Sequence, residues 1–170
     1  MTLADVAYAP ELTSHDAEIE HINAEAFGPG RFTRAAHKIR EGGPHARDLS
    51  FVATDNGTVV ASVRLTPIAV GQGKAMLLGP LAVRPSWKNL GIGRKLMAIA
   101  ADAAREKGVA AIVLVGDAPY YAPLGYQRVA AGTMTMPWPV DPARLLVLEL
   151  VPGAAAALDG TVVHANVARA

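Results

Sequence analysis

A chain of 170 residues with 16 Lys+Arg against 15 Asp+Glu has a net charge of +1, so no global field recruits nucleic acid or an anionic membrane. At 51% hydrophobic and 18% charged residues it is no disordered polyelectrolyte, and its length suits one domain spanning residues 1–170. With no cysteine, disulfides, thiolate zinc sites and a cysteine nucleophile are excluded, which fits a reducing cytoplasm.

The opening MTLADVAYAPELTSHD lacks the basic and apolar regions of a signal peptide. The longest apolar runs, such as VAAIVLV at 109–115, fall far short of the ~20 residues that cross a bilayer. A soluble, cytoplasmic protein is expected.

Residues 4–8 read as a short strand. The stretch 12–27 reads as an amphipathic helix, with Thr13 or Ser14 as N-cap, Asp16 and Glu18 in its first turn, and Ile19, Ile22 and Ala26 at helical spacing. A second helix at about 32–41 stops at Gly42-Gly43-Pro44. β-runs at 49–55 and 58–67 flank Asn56-Gly57, the strongest short-range hairpin signal because both positions tolerate positive φ. Gly71-Gln72-Gly73 turns the chain into 75–84, a near-continuous apolar strand. Pro80 within it removes a ladder donor, so a bulge or an unpaired edge is expected at Gly79-Pro80.

Residues 91–107 form the clearest helix, with Ile92, Leu96, Ile99 or Ala100, and Ala103 on one face and Gly108 as its stop. The apolar strand at 110–115 completes a βαβ unit, which implies a right-handed crossover and a parallel strand pair. A short helix (APYYAPLG), a strand at 126–130, a loop carrying Trp138 between Pro137 and Pro139, and a strand at 144–151 follow. The Ala-rich tail has no clear pattern. The fold class is mixed α/β.

The chemistry concentrates at 81–95, LAVRPSWKNLGIGRK. A buried strand enters a loop with Arg84 and Lys88, and Gly91-x-Gly93 then opens a helix that carries Arg94 and Lys95. A helix start offers unpaired N–H groups and partial positive charge, and glycine lets a phosphate reach the backbone. The segment reads as a pyrophosphate cradle; a tight turn serving only helix packing is the other reading, and Gly71-Gln72-Gly73 shows the same spacing in an ordinary turn. The dinucleotide fingerprint fails because position 96 is Leu, and the phosphate-loop pattern is absent, so neither NAD nor ATP is favoured.

The segment 77–126 resembles the acetyl-CoA-binding core of the GNAT N-acetyltransferase superfamily. Lys88-Asn89-Leu90-Gly91-Ile92-Gly93 falls on the family pattern [QR]-x-x-G-x-[GA]. LGPLAVRPSW resembles the family's splayed fourth strand, and Tyr121, Gly125 and Tyr126 of DAPYYAPLGY occupy the places of its Y-x-x-x-G-[FY] signature. Lys88 stands where Gln or Arg is usual, and Asp117 where many members carry Asn.

The resemblance implies a single GNAT-like domain: a mixed, mostly antiparallel sheet splayed at one parallel strand pair, with helices on both faces. It implies an N-acetyltransferase that moves an acetyl group from acetyl-CoA, its co-substrate, to a primary amine of a small molecule or protein by direct attack, with no metal. Lys88, Asn89, Leu90, Gly91, Ile92, Gly93, Arg94 and Lys95 would hold the pyrophosphate. Leu81, Ala82 and Val83 would pair with the pantetheine arm and supply an N–H to the oxyanion. Tyr121 would protonate the departing thiolate, with Tyr120 as a packing or pantetheine-wall residue.

No residue presents itself as the general base. Glu18, Glu20 and Glu25 suit a solvated helix face, and His15, His21, His37, His45 and His164 lack metal-ligand spacing. The acceptor is expected near Phe27 and Phe32, which flank Gly28-Pro29-Gly30, with Trp138 as a further wall; both groups also suit plain packing. The alternatives are a non-catalytic acyl-CoA-binding sensor and a transferase for a longer acyl group. The apolar final strand and tail suit a homodimer contact or completion of the sheet equally.

Overall fold

The computed structural model describes residues 3–168. Its sheet runs β1 (Val6–Pro10), β2 (Phe51–Asp55), β3 (Thr58–Val70), β4 (Gly73–Val83), β5 (Ala111–Val115), β8 (Leu145–Glu149) and β6 (Gln127–Arg128). Two strands lie off this path: β9 (Gly160–His164) pairs with β3, and β7 (Met134–Thr135) pairs with β9. Neighbours along the path are antiparallel except β4 and β5, which are parallel, and the short β7–β9 pair is parallel too.

The Asn-Gly turn behaves as its chemistry requires: Asn56 and Gly57 take φ of 49° and 80° and close the β2–β3 hairpin at Asp55 opposite Thr58. β3 runs on to Val70, past the expected end at 67, because its distal half is paired on both sides. Ile68, Ala69 and Val70 face Ala75, Lys74 and Gly73 of β4 and His164, Val163 and Val162 of β9. Both C-terminal strands therefore complete the sheet of their own chain.

Three helices cover the two faces. On one, α3 (Ile92–Glu106) lays Ile92, Leu96, Met97, Ala100 and Ala104 against Leu65, Met76, Leu78, Ile112 and Leu114. Ala104, rather than the expected Ala103, is the fully buried alanine of the last turn. On the other face α1 (Asp16–Phe27) buries Ile19 and Ile22 on Val52, Val59 and Ala82. Beside it, α2 (Ala35–Arg40) seats Ile39 on Ile68, Leu77 and Val113. Each such aliphatic side chain contributes about 1.5–3 kcal/mol.

The start of α1 differs from expectation. A 3-10 turn over Thr13–His15 leads directly into the helix, so neither Thr13 nor Ser14 caps it, and the Leu12 N–H bonds instead to His15 Nδ1 at 3.0 Å. The tail is better ordered than its composition suggests. His164 donates from Nε2 to the Pro44 carbonyl (2.8 Å) and accepts the Asn166 N–H at Nδ1 (2.9 Å), a pair of bonds that fixes one tautomer. Gly42 and Gly43 are small because this histidine packs on them: a Cβ at Gly42 would lie 2.6 Å from His164 Cβ.

A buried ionic cluster ties the first strand to the sheet. The Glu11 side chain is fully buried and accepts from His45, from Arg47 Nη1 (3.1 Å) and from Arg64 Nε (3.0 Å). Asp16 takes Arg47 bidentately at 2.9 and 3.2 Å and Arg64 Nη2 at 3.0 Å. Burial alone would raise the Glu11 pKa, but the His45 and Arg64 hydrogen bonds and charges outweigh it and hold the group below its ordinary 4.5. Asp16 is likewise lowered, chiefly by its Arg47 bonds.

Carboxylates with lowered folded-state pKa values contribute stability that is present above the unfolded values and is lost as pH falls through the folded ones. The thermal midpoint is therefore expected to drop below about pH 4.5. Glu11→Gln should flatten that drop, and Glu11→Ala should cost about 3–5 kcal/mol in denaturant melts at pH 7 because it leaves part-buried Arg64 and Arg47 without the buried carboxylate they share. An acid profile unchanged by Glu11→Gln would refute the assignment.

Candidate active site

The site begins with a mismatch in the sheet. Val63 pairs with Leu81 and Leu65 with Leu78, so Gly79 and Pro80 together oppose Arg64: the bulge expected from Pro80. The parallel ladder between β4 and β5 holds Met76 to Ile112 and Leu77 to Val113 and goes no further, although β4 continues to Val83 and β5 to Val115. The strands diverge there, and the edge of residues 78–83 that would face β5 has no strand partner. A cleft of about 1330 Å³ opens through the gap, from the start of α3 on one face to α1 and α2 on the other.

On the α3 side the loop is shaped by left-handed residues: Asn89 has φ of 62° and Gly91 of 86°. No side chain caps α3, and its first helical bond runs from the Lys95 N–H to the Gly91 carbonyl (3.0 Å), so the preceding N–H groups lack helical partners. Nothing lies within 4 Å of a Cβ built on Gly91, whereas one on buried Gly93 would approach the Tyr120 hydroxyl to 2.8 Å. Leu81, Ala82, Val83, Lys88, Asn89, Gly91, Ile92, Gly93 and Arg94 line the cleft; Leu90 and Lys95 are exposed outside the lining. Arg84, grouped with Lys88 by the sequence, turns away: its Nε donates to the Val59 carbonyl at 2.9 Å. Trp87 is buried in the α3 core and anchors the loop.

Tyr121, at the end of α4 (Ala118–Tyr121), lines the same cleft. Its ring meets Tyr120 edge-on at 4.7 Å and Tyr126 at 5.9 Å. Gly116 makes room for it, since a Cβ there would lie 2.4 Å from the Tyr121 ring. Burial pushes the Tyr121 hydroxyl up to about 12, Tyr120 and Asp117 add to the rise, and Arg144 opposes it. Asp117 is exposed and pairs with Arg144 Nε at 3.4 Å.

The far half of the cleft lies where the sequence placed the acceptor. Phe27 and Phe32 both line it, under Arg34 (5.1 Å to the Phe27 ring) and Arg31 (4.1 Å to the Phe32 ring). Trp138 is outside the lining and stands 5.9 Å from Lys38 Nζ of α2, while the following Pro139 and Val140 border the cleft. The three helix glutamates are otherwise engaged: Glu18 accepts the Val59 N–H (3.0 Å), Glu20 pairs with Arg31 (2.8 Å) and Glu25 lies 4.0 Å from His21. Among the described residues no group of three or more His, Asp or Glu could hold a metal.

Among the polar cleft residues that went unread in the sequence are Asn23, Thr66 and Arg40. Asn23 stands on the apolar face of α1, four residues after Ile19, and Thr66 continues the polar alternation Ser62, Arg64, Thr66 along β3; both were available signals. Arg40, in the last turn of a basic helix, carried none.

The acetyltransferase (GNAT) family model matches residues 17–126, from the first turn of α1 through Tyr126. The uncharacterized N-acetyltransferase YhbS of Escherichia coli K12 is 29% identical over 148 residues, covering 85% of this chain and 87% of that protein. The crystal structure of Escherichia coli YhbS in complex with CoA superposes with a TM-score of 0.81 at 25% identity, over 98% of this chain and 93% of that one. A GNAT acetyltransferase from Brucella melitensis in complex with acetyl-CoA follows at 0.68 and 25% identity, over 95% and 97% of the two chains. With the match spanning the splayed strand, the glycine loop and the tyrosine signature alike, this chain belongs to the GNAT family of acetyltransferases.

Proposed function

We propose that this acetyltransferase moves the acetyl group of acetyl-CoA onto a primary amine of a small molecule or protein by direct attack. The observation that carries the proposal is the cleft itself. It joins an uncapped helix start flanked by Lys88 and Arg94 to an acceptor chamber through the gap between β4 and β5, with Tyr121 at its wall. The relatives solved with CoA and acetyl-CoA support the same donor.

The residues present fit a pyrophosphate. Gly91 leaves open space where a Cβ would stand, the N–H groups of the first turn are free, and two cations border the loop. Lys88 contributes a point charge rather than a planar fork. Leu81, Ala82 and Val83 would hold the pantetheine arm along the unpaired strand edge as an added strand does, and one of their N–H groups would take the developing oxyanion.

In the reaction the amine nitrogen bonds to the carbonyl carbon, the carbon–sulfur bond breaks, and the Tyr121 hydroxyl gives its proton to the sulfur. The amine loses its proton to solvent, from which Tyr121 is restored. With no cysteine in the chain, no thioester forms on the protein. A hydroxyl pushed up to about 12 stays protonated at neutral pH and is available to donate; because a free thiol titrates at about 8.5, complete transfer to the sulfur is uphill and is drawn on by reprotonation of Tyr121 from solvent.

Calorimetric titration of acetyl-CoA, with NAD and ATP as controls, is the first test. Selective micromolar binding is expected, and no binding at millimolar acetyl-CoA would overturn the proposal. Tyr121→Phe should bind acetyl-CoA as wild type does and lose about 100-fold in turnover; equal turnover would remove Tyr121 from the chemistry. Because the protonated hydroxyl is the active form, raising its pKa moves the alkaline loss of activity upward. Turnover should therefore hold through pH 10, where a free tyrosine would already titrate, and fall only toward pH 12. Gly116→Ala keeps the hydroxyl but displaces its ring, and should cost about 1–3 kcal/mol of stability together with turnover.

A further inference from the structure

We infer that the amine acceptor carries an anionic oxygen group, a carboxylate or a phosphate, and that Arg40 receives it. The inference rests on the transfer reading above and names the class of acceptor.

Of the arginines around the acceptor chamber, two are ion-paired, a third lies over a ring, and Arg40 has neither. Arg31 holds Glu20 at 2.8 Å, Arg64 holds Glu11 and Asp16 at 3.0 Å, and Arg34 lies over the Phe27 ring. Arg40 has no carboxylate, carbonyl or ring partner among the described residues. The charges that act on it are those of Arg34 and Arg64, both of its own sign. Burial first, and these two charges second, pull its pKa down to about 10, which still leaves it charged at neutral pH. A part-buried guanidinium held beside two like charges without a counter-ion costs stability and does nothing for the fold.

Its place suits a ligand. Arg40 lines the cleft, and its Nη1 lies 3.3 Å from where a Cβ on Gly79 would be, at the point where β4 leaves β5. Two other unpartnered polar groups line the same chamber: Asn23 Oδ1, on a residue 4% exposed, and Thr66 Oγ1, on one 1% exposed. The Asn23 oxygen can only accept and suits the N–H of an amine; Thr66 can accept or donate. A cation for an anion and acceptors for an amine, in one chamber, match a small amino-acid-like molecule.

The test is calorimetry on the CoA-saturated protein with paired probes. One series is ω-amino acids of about two to six carbons with their uncharged amides; the other is phosphoethanolamine with ethanolamine. At least one anionic member should bind about tenfold more tightly than its neutral partner, as one charged hydrogen-bonding contact implies. The two series separate carboxylate from phosphate. Arg40→Gln should bring each pair to within about twofold, Arg40→Lys should keep part of the preference, and acetyl-CoA affinity should hold in both. The thermal midpoint of Arg40→Gln should equal or exceed that of wild type. Equal affinity within every pair, detectable or not, overturns the inference, as does a preference that survives Arg40→Gln or a midpoint that falls. An anionic amine that binds with the expected preference yet releases no CoA when acetyl-CoA replaces CoA refutes the transfer reading and leaves Arg40 as an anion-binding residue.

Discussion

The site depends on one broken ladder. Strands β4 and β5 could have continued pairing beyond Leu77 and Val113, since both run on in extended form. The extra residue at Gly79-Pro80, accommodated against Arg64 on β3, bends β4 and points its next residues away from β5. Unpaired N–H and C=O groups along a strand edge ordinarily invite another strand. Here the same edge is enclosed in a cleft, where the proposed pantetheine arm would satisfy it.

The two faces joined by that gap are built by different physics. The α3 face is an apolar core in which buried Trp87, Ile92 and Leu96 hold the glycine loop, so the loop's open backbone is backed by rigid packing. The opposite face holds the charges. Glu11 and Asp16 neutralise Arg47 and Arg64 and lock the strand before α1 to β3. On a chamber wall where Arg31 and Arg64 hold carboxylates and Arg34 lies over a ring, Arg40 stands out because it has neither.

In the tyrosine cluster, tight packing sets how firmly a hydroxyl holds its proton. Gly116 has no Cβ, so the Tyr121 ring fills that space, and being buried it holds its proton more firmly than a free phenol. Tyr126, wholly enclosed behind it, has its own hydroxyl pushed up further by burial. Of the two, only the less enclosed Tyr121 lines the cleft.

Much of this was legible in residue order. Asn56-Gly57, Pro80 and the apolar pattern of 91–107 act through local sterics and periodicity, so the hairpin, the bulge and α3 follow from them directly. The glycine loop and Tyr121 likewise come to one cleft from two short motifs, which carry their backbone requirements with them. What residue order could not supply is set by contacts distant in the chain. Arg84 turned to Val59, His164 seated on Gly42 and Gly43, and Asp16 drawn from a helix start into the Arg47 and Arg64 cluster all join residues remote in sequence. The pairing of charges is decided last, by which side chains the sheet and helices bring within a few ångströms. That is why Arg40, one basic residue among sixteen in the sequence, became distinctive only when every neighbour's partner was known.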